Sequence, residues 1–108
     1  MTKSYSDPEL HPLAEIDQII HAPARLMVLT YLYVVESADY AFLMRVTGLT
    51  WGNLSTHLTK LEEAGYITIT KEFRGKKPHT TISLTEQGRT AFREYKKSLQ
   101  QVLNDLPD

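Results

Sequence analysis

The chain has 108 residues, of which 42% are hydrophobic and 23% charged, with a formal net charge of −1. That length and balance describe one folded domain and exclude a globally disordered chain. The absence of cysteine excludes a disulfide scaffold, a thiolate metal site and a cysteine nucleophile, and no apolar run approaches the roughly 20 residues of a membrane span.

The N-terminal residues Met1 to Pro8 are polar and lack the apolar core of a secretory signal, so a cytoplasmic location is expected. Residues 1–12 are expected to form a flexible segment, and residues 13–108 a single domain. Pro12 disfavours helix at His11, which places the first expected helix over Leu13–Ile20. Pro23 opens a second helix over residues 23–36. Its apolar residues, from Leu26 to Val35, run nearly all the way round, as in a central core helix.

Asp39 can cap a short helix holding Phe42, Leu43 and Val46, which Gly48 stops. Thr50 is a second N-cap, and Leu54, Leu58, Leu61 and Ala64 form the apolar stripe of a helix over residues 51–64. The connection Gly48-Leu49-Thr50 has helix-turn-helix spacing.

The period then changes to 2. Ile67, Ile69 and Phe73 share one face of a strand, and Ile82 and Leu84 share one face of a second. Between them Arg74-Gly75-Lys76-Lys77-Pro78-His79 makes a basic hairpin tip. Thr85 caps a last helix over residues 86–106, along which Phe92, Tyr95, Leu99, Val102 and Leu106 step by threes and fours, with Leu103 widening the stripe. The fold expected is α+β, in the order α-α-α-α-β-β-α.

Charge is uneven along this order. Residues 1–49 carry three basic and six acidic groups, residues 50–79 five and three, and residues 80–108 four of each. The only basic segment holds the second half of the helix-turn-helix and the hairpin.

This layout resembles a winged helix. The run Thr50-Trp51-Gly52-Asn53-Leu54-Ser55-Thr56-His57-Leu58-Thr59-Lys60-Leu61-Glu62-Glu63-Ala64-Gly65-Tyr66-Ile67 is similar to the recognition-helix signature of winged-helix transcriptional regulators of the MarR/ArsR type. Ser83-Leu84-Thr85-Glu86-Gln87-Gly88-Arg89 is similar to the segment that begins their last helix. The resemblance runs from about Leu13 to Leu103. It implies a homodimeric, sequence-specific DNA-binding repressor or activator.

The side chains fit that implication. On a helical wheel of about 100° per residue, Gly52, Ser55, Thr56, Thr59 and Lys60 point away from the leucine stripe, and Asn53 sits at its margin. Short polar side chains let a helix approach base edges. Asn53 can pair with adenine, and Lys60 can reach guanine or a phosphate. A helix face kept only for solubility favours Glu, Lys and Arg instead. The expected DNA contacts are therefore Asn53, Ser55, Thr56, Thr59 and Lys60 on base edges, with Arg74, Lys76 and Lys77 on the backbone or minor groove. Glu63 is a misfit placed beyond the groove. His57 flanks the core stripe, where a half-buried, hydrogen-bonded ring is expected, and Trp51 is expected to pack at the turn.

The opposite face of the last helix, Arg93, Lys96, Lys97, Gln100 and Gln101, is polar. The narrow seam of Phe92, Tyr95, Leu99, Val102, Leu103 and Leu106 is therefore expected to join two copies on a palindromic operator. No catalytic constellation, metal site or cofactor motif is expected. The four histidines include no i, i+4 pair. The operator, the regulated genes and any small-molecule effector are not legible. The alternative function is a winged helix that binds protein without specific DNA binding, which would need an exposed apolar patch on its recognition helix.

Overall fold

The computed structural model describes residues 15–107, so the flexible segment expected over residues 1–12 lies outside the described residues. The elements run α1 (Pro23–Val35), β1 (Ser37–Asp39), α2 (Tyr40–Thr47), α3 (Trp51–Glu63), β2 (Ile67–Arg74), β3 (Lys77–Leu84) and α4 (Glu86–Asn104). The α+β winged-helix class expected from the sequence is the one observed. Its element order differs from expectation at two places.

The first is at the start. Leu13 and Ala14 lie outside the described residues, and over residues 16–22 the backbone makes turns and bends where the sequence predicts a helix to Ile20. The Asp17 carboxylate explains this, because it accepts from the backbone N–H groups of Ile19 (2.8 Å) and Ile20 (3.1 Å) and closes a local turn in competition with helix. The other Asp17 oxygen accepts from the Tyr66 hydroxyl. Burial, reinforced by that carboxylate, holds the Tyr66 pKa up at about 12. Ile16 and Ile20, carried by this turn, are buried in the core.

The second difference is strand β1, which lies between the two helices where the sequence predicts no strand. It pairs antiparallel with β3, Ser37 opposite Ser83 and Asp39 opposite Thr81, giving a sheet of order β1-β3-β2. The chain enters it through Glu36, at φ +70°. Its carbonyl accepts from Leu84 N–H at 2.9 Å, and its carboxylate lies 3.4 Å from Arg89.

α1 is the central helix, as expected, with Val28, Leu29 and Leu32 fully buried. Leu43 from α2, Leu54, Leu58 and Leu61 from α3, and Ile67 and Ile82 from the sheet complete the core around it. Each such side chain contributes about 2 kcal/mol on removal from water. Phe73 does not join them. It is 73% exposed, although it shares the strand face of Ile67 and Ile69, and it lies opposite Pro78 beside the Arg74–Lys77 pair that closes the hairpin.

Candidate nucleic-acid interface

The helix-turn-helix is fixed by three local devices. Gly48 ends α2 in the left-handed conformation (φ +73°), its N–H donating to Met44 O at 2.9 Å. The Thr47 hydroxyl accepts from Leu49 N–H at 3.2 Å. Thr50 caps α3, its hydroxyl accepting from Asn53 N–H at 3.2 Å. Leu54, Leu58 and Leu61 anchor one face of α3 in the core, which leaves the opposite face in solvent. Asn53, Thr56, Thr59 and Lys60 are exposed there, and Ser55 is half-buried. Glu63 is exposed at the C-terminal end of α3. The Thr56 hydroxyl donates to Gly52 O, and the Thr59 hydroxyl to Ser55 O, each at 3.0 Å.

The basic hairpin stands beside this face. Arg74 pairs with Lys77 across a two-residue turn whose first residue, Gly75, has φ +65°. Glycine first and an ordinary φ at Lys76 fit a type II′ turn, which matches the twist of its strands. Arg74, Lys76 and Lys77 are exposed. Helix and hairpin meet at a cleft of about 550 Å³, with Trp51 and Ser55 on one wall and Lys71, Pro78, His79 and Thr80 on the other. Of the eight expected DNA contacts, Ser55 lines this cleft, Asn53, Thr56, Thr59 and Lys60 lie on the same helix, and Arg74, Lys76 and Lys77 lie at the tip of the hairpin that forms its other wall.

Two residues here, Lys71 and Arg25, carry no signal of their role in the sequence. Lys71 entered only the charge tally, yet it lines the cleft. Trp51 packs at the turn as expected, stacked on Tyr40 with ring centroids 5.8 Å apart and planes at 22°. It nevertheless remains 61% exposed. Arg25 gave no sequence signal. Its guanidinium donates to Ile19 O at 2.6 Å, to Gln18 O at 3.4 Å and to His57 Nδ1 at 3.2 Å, tying the N-terminal turn, α1 and α3 together. His57 is the half-buried, hydrogen-bonded ring that was expected. Burial, then the Arg25 charge, then that of Lys60, pull its pKa below 6.5. The neutral ring accepts at Nδ1, which leaves the proton on Nε2.

The family model described as "Winged helix DNA-binding domain" matches residues 24–103. The chain belongs to that family. In such a domain α3 stands at the place of the recognition helix and the β2–β3 hairpin at the place of the wing. An uncharacterized protein of Methanocaldococcus jannaschii is 33% identical over 89 residues, which span 82% of this chain and 97% of that protein. The structure of a transcriptional regulator homologue from Pyrococcus horikoshii OT3 superposes with a TM-score of 0.81 at 27% identity, covering 93% of this chain and all of its own. A MarR-family regulator structure from Porphyromonas gingivalis covers 98% of this chain and 99% of its own with a TM-score of 0.62, at 18% identity, a likeness of fold alone.

The seam expected along α4 divides in two. Phe92 (9% exposed) and Tyr95 (4%) belong to this subunit's own core. Phe92 packs on Tyr33 with centroids 5.0 Å apart, and Tyr95 shares a 2.9 Å hydrogen bond with His21. Leu99 and Val102 are half-buried. Leu103 and Leu106 are 58% and 60% exposed. Leu26 of α1 shares an apolar groove with Leu99 and Leu103. No helix among the described residues is long and apolar enough to cross a membrane.

Proposed function

We propose that this chain is a sequence-specific transcriptional regulator that binds double-stranded DNA as a homodimer in the cytoplasm and catalyses no reaction. The recognition helix enters the major groove, where Asn53, Ser55, Thr56, Thr59 and Lys60 meet base edges. The wing residues Arg74, Lys76 and Lys77 meet phosphates or the minor groove. The observation that carries this reading is the outward face of α3. Its residues are short-chained and polar, exposed except for the half-buried Ser55, and the hairpin that carries three cations forms the other wall of the same cleft, although such residues make a weak helix.

The groove beside the far half of α4 supports the dimer. Leu99, Val102, Leu103 and Leu106 leave a domain too small to cover them, and a second copy would bury the same patch on both sides. The seam is thus shorter than periodicity alone suggests, since Phe92 and Tyr95 serve the core. Two-fold symmetry would set two recognition helices about one DNA turn, roughly 34 Å, apart on a palindrome.

A titration of random duplex DNA at two salt concentrations tests the reading. Two wings engaging three cations each would release counterions from about six phosphates, so log affinity should fall with log salt at a slope near −5. Affinity indifferent to salt, or no binding, would refute it and favour a protein-binding winged helix.

A further inference from the structure

We infer that Thr56 and Thr59 read the major groove through their γ-methyl groups, against the C5-methyl groups of thymines, and not as hydroxyl donors. This deepens the proposed DNA reading and rests on it. A threonine hydroxyl has one proton to give. Here both protons are given to the helix itself, Thr56 to Gly52 O and Thr59 to Ser55 O, each at 3.0 Å. Thr30 and Thr47 make the same bond elsewhere, to Leu26 O and Leu43 O, so the bond itself is ordinary helix behaviour. It matters at Thr56 and Thr59 because these two are exposed on the face turned to DNA. What each still offers there is a methyl group and acceptor lone pairs.

Gly52, Thr56 and Thr59 lie at i, i+4 and i+7, one row along the helix. A Cβ built on Gly52 would have no neighbour within 4 Å, so no packing inside the protein demands glycine at the head of that row. Its missing side chain lets another surface come close to the helix backbone. The one apolar feature of a base edge in the major groove is the thymine methyl. A run of A·T pairs, each presenting one such methyl, therefore satisfies the row. Hydrogen-bond donation on this face falls to the Asn53 amide, suited to adenine, and the Lys60 ammonium, suited to guanine or phosphate.

The test begins with selection of preferred duplexes from a randomised library by the full chain. Each thymine of the selected half-site is then replaced by deoxyuridine, which removes only the C5-methyl. At one or two positions per half-site the affinity should fall about three- to fivefold, the worth of one buried methyl. Thr56→Val keeps the methyl and discards the hydroxyl, and it should bind the thymine duplex within about twofold of the parent. Thr56→Ser keeps the hydroxyl and discards the methyl. It should bind several-fold more weakly and no longer distinguish thymine from uracil. Circular dichroism of both variants should match the parent, because the site is exposed. The inference is overturned if no uracil duplex binds more weakly, or if Thr56→Val loses as much as Thr56→Ser. A selection that enriches no sequence, with no retained binding, refutes the DNA reading itself and the inference with it.

Discussion

A Cβ placed on Gly88 would lie 2.1 Å from the carbonyl oxygen of Tyr66, which itself accepts from Thr85 N–H at 3.0 Å. The first turn of α4 is thereby pressed against the corner between α3 and β2. Thr85 secures it further, its hydroxyl accepting from Gly88 N–H and donating to Gly65 O. A glycine inside a helix ordinarily costs about 1 kcal/mol relative to alanine. At this position the preference reverses, because backbone occupies the space. Gly88→Ala should lower stability by about 2 kcal/mol or more, measured as a drop in the denaturant midpoint.

Gly52 is the opposite case. It lies inside α3 with open space around it, so Gly52→Ala should raise stability by up to about 1 kcal/mol. The same methyl sits on the groove-facing row and should weaken operator binding. Thermal melts and DNA titrations on one preparation would show the two properties moving in opposite directions. A variant that gains in both would remove Gly52 from the contact surface.

The pH dependence of stability should carry the mark of His57. Its pKa in the fold lies below 6.5, first through burial and then through Arg25. The unfolded chain therefore binds this proton more tightly than the folded chain. The resulting stability is fully present above about pH 6.5 and is lost as pH falls through the folded value. His57→Gln keeps an acceptor for Arg25 but does not titrate. Urea unfolding between about pH 7.5 and pH 5 should therefore show a shallower decline in the variant than in the parent.

Charge placed in the far half of α4 should separate subunits. Leu103 is 58% exposed within one subunit, so Leu103→Glu leaves the monomer core untouched. Sedimentation should show monomer, with helix content kept and operator affinity falling at least tenfold. Leu99→Glu should act likewise, with some added loss of stability because Leu99 packs against the core. Dimers that persist in both variants would locate the subunit contact elsewhere.

The recognition helix and the wing were legible because their signals are local. Thr50, the leucine stripe and Gly65 bound α3, and a change of period with Gly75 between cations marks the hairpin. What was not legible depends on distant partners. β1 is three residues, too short to alternate, and exists through its pairing with β3. The turn over residues 16–22 depends on one carboxylate, and Phe73 has the correct strand parity but lies exposed beside the pair that closes the hairpin. Along α4, spacing marks an apolar stripe without saying which surface covers it. Phe92 and Tyr95 meet this subunit's core, while Leu103 and Leu106 meet solvent. Arg25, the residue that holds α3 through His57, acts across 32 positions of sequence.

The most direct measurement is chemical-shift mapping of the labelled protein on addition of a selected duplex. The account expects the largest changes in the amides of residues 52–60 and 74–77, with the Asn53 side-chain amide among them. The exposed apolar face of α1 at Val34 and Val35 should stay unperturbed. Changes centred on Val34 and Val35, with α3 and the wing silent, would contradict it.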